Sequence, residues 1–131
     1  MLSNSDSLGV HPENNVFDFI VNLPKHIILE GAYKCAIVDC NIKITGRRRN
    51  TDALMYIFCD LCQDNFVRDT YLPILKVMEC DEGNQTLQYP LYIPVKVTQF
   101  HQIHIYIRNH LLETPALNLS SFNCTLHLKK S

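Results

Sequence analysis

The chain has 131 residues, enough for one domain with a true core, and its 47 % hydrophobic and 19 % charged content is globular rather than disordered. A formal net charge of −1 excludes an overall basic field that would gather nucleic acid. The six cysteines are too sparse for a disulfide scaffold, and no apolar run approaches the ~18 residues of a membrane helix.

The first fifteen residues, MLSNSDSLGVHPENN, are polar and read as a flexible N-terminal arm over 1–15. A single β-sandwich domain is expected over 16–131. The arm lacks the charged start and apolar run of a secretory signal, so the thiols are expected to be reduced, in cytosol or nucleus. VFDFIVNLP then alternates. Phe17, Phe19, Val21 and Leu23 share one face and Asp18 and Asn22 the other, a half-buried strand that Pro24 is expected to stop. HIILEG is a short β-branched run with Gly31 as its turn. AYKCAIVDCNIKI is the longest strand, with Ala36, Val38, Cys40, Ile42 and Ile44 expected inward. TGRRRNTD reads as an exposed loop.

ALMYIFCDL is apolar on both faces and predicts a central strand. CQDNFVRDT reads as a polar connection with room for a helical turn. LPILKVME is a strand and CDEGNQTLQYP a loop. LYIPVKV carries Pro94, which predicts an edge or bulged strand. HQIHIYIRN points Ile103, Ile105 and Ile107 inward and His104, Tyr106 and Arg108 outward. HLLETPALNLSS is a connection. FNCTLHLKK closes the chain with Cys124, Leu126 and Leu128 inward and Thr125, His127 and Lys129 outward. The pattern predicts an all-β fold, an antiparallel sandwich of about eight strands with a jelly-roll-like topology and no long helix.

Cys59 and Cys62 have the spacing of a metal ligand pair or a redox dithiol. A structural zinc site takes four ligands, and the expected second pair is missing. Cys35 and Cys40 are too far apart along one strand and would point to opposite faces. A redox dithiol opens a helix in an α/β fold, which this chain lacks. Buried strand cysteines are therefore favoured over zinc or redox chemistry, with Cys59 inside and Cys62 dispensable. His104 and His127 would share an outward face only if the last two long strands pair. Asp39 and Asp60 are expected to bind backbone near strand ends. No Ser-His-Asp order, phosphate loop or His-Glu-x-x-His motif is present, so no catalytic residue, cofactor or metal is assigned and no enzyme is expected. Arg47, Arg48 and Arg49 form the basic run and are the candidate contact for phosphate or nucleic acid. Asn-x-Ser/Thr matches at Asn84, Asn118 and Asn123 are read as chance.

Several segments in order resemble a family of mostly uncharacterised proteins of invertebrate viruses and virus-derived, Polinton-like mobile elements. The segments are SNSDSLGVHPENNVFDFIVNLPKHIILEGAYKCAIVDCNI, YIFCDLCQDNFVRDTYLPILKVM, LYIPVKVTQFHQIHIYIRN and CTLHLKK. The resemblance runs from Ser3 to Lys130. It departs in a short stretch between Ile44 and Leu54 and in the ending HLKK. It implies a viral context and a virion structural role. The expected function is a small non-enzymatic capsid or capsid-associated protein that assembles with itself or with a capsid protein. Its arm residues Asn4, His11, Pro12 and Asn14 are the candidates for ordering on a neighbour. The expected location is the virion, with host cytoplasm or nucleus during assembly and no membrane partner. The alternative is a non-structural viral module that binds a host protein or nucleic acid.

Overall fold

Alternating apolar residues become strands because each turns one face from water. The computed structural model describes residues 2–3, 11–44, 54–67, 69–79, 83–86, 90–109, 111–114 and 119–131. Eleven strands lie within them: β1 (Leu2–Ser3), β2 (Asp18–Ile28), β3 (Tyr33–Ile44), β4 (Leu54–Cys59), β5 (Asn65–Val67), β6 (Thr70–Leu72), β7 (Ile74–Glu79), β8 (Gly83–Thr86), β9 (Ile93–Pro94), β10 (Gln99–Arg108) and β11 (Leu119–Lys130). Apart from the β5–β6 hairpin and the two-residue β9, eight strands form two antiparallel sheets of order β1-β11-β3-β8 and β2-β10-β4-β7. The first of the eight pairs with the last, β2 with β10, β3 with β8 and β4 with β7. A long hairpin rolled up in this way is a jelly roll.

The core lies between the two sheets. Phe19 of β2 meets Phe122 of β11 at 6.3 Å between ring centroids, and both are fully buried. Ile103, Ile105 and Ile107 of β10 are buried as their alternation predicts. β4 is an interior strand between β10 and β7, in line with its apolar character on both faces. Cys124 is buried, and Leu126 and Leu128 pack against the core.

Two bulges change the expected faces. On β3, the register steps from Thr125↔Asp39 to Leu126↔Ile37, so Val38 is an extra residue. Its insertion shifts the phase, and Cys35, Ile37, Cys40 and Ile42 all enter the core. Val38, expected inward, therefore does not join the core, although Ala36 is buried as expected, and Cys35 and Cys40 do not lie on opposite faces. On β2, the register steps from Phe100↔Ile27 to Gln102↔Asn22. Pro24 lies in this bulge, where its missing N–H removes no ladder bond. The strand thus continues past Pro24 instead of stopping there. Gly31 has φ 92°, a turn conformation that L side chains rarely adopt, and it joins β2 to β3 as expected.

Tertiary pairing also makes strands where local signals are weak. The expected connection CQDNFVRDT holds β5 and the start of β6, which pair as a hairpin, rather than a helical turn, with Asp69 at φ 64°. The expected loop CDEGNQTLQYP contains β8, which pairs with Asp39–Ile42 of β3. β9 pairs with Lys34 and Cys35 and leaves Pro94 exposed at an edge, as Pro94 predicts. After β10, buried Asn109 orders a tight turn: its Oδ1 accepts bonds from the N–H groups of Leu111 and Glu113 at 2.9 and 3.0 Å.

Phe122→Ala empties the space where the two sheets meet. It should lower the unfolding free energy by about 3–5 kcal/mol in urea titration, whereas Ile28→Ala, at a side chain 69 % exposed, should stay within about 0.5 kcal/mol.

Candidate functional site

The residues singled out in the sequence are dispersed. Arg47, Arg48, Arg49, Asn4 and Cys80 lie outside the described residues. His11, Pro12 and Asn14 are described, and two of them bond to their own chain. His11 Nε2 donates to Asn22 Oδ1 at 2.9 Å. The Asn14 amide imitates a neighbouring strand: its Oδ1 accepts from Ile20 N–H at 2.9 Å and its Nδ2 donates to Ile20 C=O at 2.8 Å. These bonds fall on β2, which is an edge of its sheet. Pro12 is exposed in a turn. Further back, Leu2 and Ser3 pair with Cys124 and Asn123 of β11, and Leu2 is buried.

A polar cleft of about 210 Å³ opens where the arm meets β2, lined by His11, Glu13, Asn14, Asn15, Asp18 and Ile20. Asp18 joins it to the outer face of β10. His104 Nε2 donates to Asp18 Oδ1 at 2.6 Å, and Arg108 Nη2 lies 3.6 Å from Asp18 Oδ2. Arg108 also donates to the Phe17 and Ile107 carbonyls. Tyr106 stacks on Phe58 at 4.8 Å, with Arg108 over its ring at 5.1 Å. Burial pushes the Tyr106 hydroxyl up in pKa. Asp64, Asp18 and Asp60 act in the same direction and Arg108 against it. Asp60 accepts a bond from His104 N–H at 3.0 Å, the backbone role expected of it. The Asp18–His104 pair can carry a proton, but among the described residues His104 bonds no hydroxyl or thiol that it could activate. Its evident work is to clasp β2 to β10. His104 and His127 stand on different sheets and do not share a face.

The cysteines are a core feature. Cys35, Cys40, Cys59, Cys62 and Cys124 are all buried free thiols. The expectation that Cys62 is dispensable fails, because it is fully buried and belongs to the core cluster. A turn brings it in: Cys62 N–H donates to Cys59 C=O at 3.1 Å, and Cys62 bridges Val95. Cys35 pairs with Ile93, so the short 93–95 segment draws Cys35 and Cys62 to one region. The Cys35 and Cys59 thiols and burial all push Cys62 upward in pKa, while the bond from Cys62 pulls Cys35 down. Burial, aided by Asp39, pushes Cys40 up to about 11, and burial also raises Cys124. Among the described residues no group of three or more His, Cys, Asp or Glu side chains is arranged to hold a metal ion.

The most exposed aromatic pair among the described residues spans the end of the expected connection. On the β5–β6 hairpin, Phe66 and Tyr71 are a cross-strand pair, 64 % and 69 % exposed, with ring centroids 5.5 Å apart. Two aromatics five residues apart around a polar Arg-Asp step are the signal that could have revealed it. No helix among the described residues is long and apolar enough to cross a membrane. Comparison with known proteins found no matching family model, curated protein or solved structure.

Cys62→Ser should destabilise the fold by about 1–3 kcal/mol in urea titration, because the buried hydroxyl needs a bond that the thiol did not. In a Cys80→Ser background, a thiol reagent should label the other five cysteines only on unfolding. A raised native pKa stabilises the fold below the unfolded pKa and loses that contribution as pH climbs through the native value. Between pH 9 and about 11 the unfolded Cys40 thiol ionises while the native one stays neutral. The melting temperature should therefore fall across this range, and less steeply in Cys40→Ala.

Proposed function

We propose that the protein is a small non-enzymatic viral structural component, a capsid or capsid-associated protein, that assembles with itself or with a capsid protein. The observation that carries this reading is the Phe66–Tyr71 pair. Two large rings that pack on each other but stand on a hairpin outside the core leave most of their surface in water, and such residues are enriched at the centres of protein interfaces. The rolled-up topology lends support by analogy, since viral capsid domains are one of several uses of the jelly roll. The resemblance in chain order to virus-encoded proteins supports it independently. On this reading the protein resides in the virion and passes through host cytoplasm or nucleus during assembly.

The direct test is sedimentation of purified particles. The protein should travel with them at fixed stoichiometry, and its absence from particles would end the structural reading. Phe66→Asp combined with Tyr71→Lys, which replaces the ring pair by opposite charges, should change folding stability by no more than about 1 kcal/mol. The same variant should lose self-association in light scattering, or incorporation into particles.

A further inference from the structure

We propose that the outer face of the β1-β11-β3-β8 sheet carries a binding site for single-stranded nucleic acid, built on Lys34, Lys129, Tyr92 and His127. The inference is separate from the assembly reading and uses a different surface from the aromatic hairpin.

The β3–β11 register sets Lys129 directly across from Lys34. Like charges in that position repel each other, so the pairing is unfavourable by itself. Both ammoniums lie over one ring, Lys129 Nζ at 5.2 Å and Lys34 Nζ at 5.7 Å from the Tyr92 centroid. The ring is held from its far end, where the Tyr92 hydroxyl and His127 Nδ1 share a 2.7 Å hydrogen bond. His127 also meets the ring edge-on, with centroids 5.8 Å apart. The next residue after Lys129, Lys130, is exposed. Among the described residues neither Lys34 nor Lys129 has an acidic partner, in contrast to Lys96, which pairs with Asp64 at 3.2 Å. Asp39, the acid that β3 contributes, lies further along the ladder, opposite Thr125.

Two unpaired cations around a partly exposed aromatic ring meet the needs of a nucleic-acid strand, which alternates phosphates with flat bases. Lysine stems are flexible, so a phosphate draws the ammoniums off the ring and leaves its face to a base. A duplex hides its base faces, which selects single strands. A carboxylate-bearing peptide would use the charges and leave the ring without a purpose. The site is defined without Arg47, Arg48 and Arg49, which lie outside the described residues. Lys34 is the second residue of β3, ten strand residues and roughly 30 Å from Ile44 at its other end.

The test is fluorescence anisotropy with a labelled oligothymidylate of about twelve nucleotides at ~50 mM salt. Saturable binding is expected. Lys129→Glu should weaken it at least tenfold and make the salt dependence shallower by about 0.7 for each phosphate the protein no longer neutralises. The same change turns a like-charged pair into an opposite one, so the melting temperature should hold or rise, which separates impaired binding from impaired folding. Tyr92→Leu should weaken binding several-fold without changing the salt slope. The proposal is overturned by absent binding, or by equal binding in wild type and Lys129→Glu. It also fails if polyglutamate of similar length competes as well as the oligonucleotide. Loss confined to the Arg47→Ala/Arg48→Ala/Arg49→Ala variant would likewise overturn it.

Discussion

β3 and β11 pair from Ile44 with Leu119 to Tyr33 with Lys130, the longest pairing among the described residues. Everything else depends on the phase of that ladder. A strand in perfect alternation over this length would carry either Cys35 and Ile37 or Cys40 and Ile42 to the core, not both sets. The extra residue at Val38 resets the phase midway, so both halves of β3 bury apolar side chains. The same ladder fixes the outer face, where Lys34 meets Lys129 and Asp39 meets Thr125. Core and surface chemistry are thus two consequences of one register.

The interior that results is unusual in its use of sulfur. Five cysteines and two methionines, Met55 and Met78, belong to the core cluster. Cys40 lies 3.9 Å from the Met78 sulfur. Small thiols suit a sandwich whose larger groups, Phe19, Phe122 and the β10 isoleucines, already span the gap between sheets. The mutual influence of Cys35, Cys59 and Cys62 comes from the turn after β4 and the short 93–95 segment folding over the same end of the sandwich. Burial raises the Cys40, Cys62 and Cys124 thiols and keeps them neutral into the alkaline range.

The two sheets present different outer faces. That of β2-β10-β4-β7 carries the Asp18–His104–Arg108 clasp beside the Phe58–Tyr106 stack, with His11 and Asn14 bonded along its β2 edge. Asn14 occupies the backbone groups of Ile20 that another strand would otherwise take, which protects an exposed edge from unwanted pairing. The other sheet presents the lysine pair and Tyr92. The proposed assembly and strand-binding roles fall on different surfaces, the β5–β6 hairpin and the outer face of the β1-β11-β3-β8 sheet.

Much of this was legible along the chain. Alternation in residues 99–108 named the buried isoleucines and the outward His104, Tyr106 and Arg108, since a strand's side-chain period is local information. The apolar character of residues 54–59 announced an interior strand for the same reason. The partners were not legible: Asp18 reaches His104 across 86 residues of sequence, and Lys34 meets Lys129 only through the β3–β11 register. Nor could alternation foresee Val38 as a bulge, β8 as a strand or Cys62 as a core residue. Each depends on what packs against it rather than on its own neighbours. Sequence by itself determined the class of fold, the strand-forming segments and most inward faces, because hydrophobic period is written residue by residue. Tertiary structure alone decided register, the bulges and the side-chain groupings, because those arise from hydrogen bonds and packing between segments far apart in the chain.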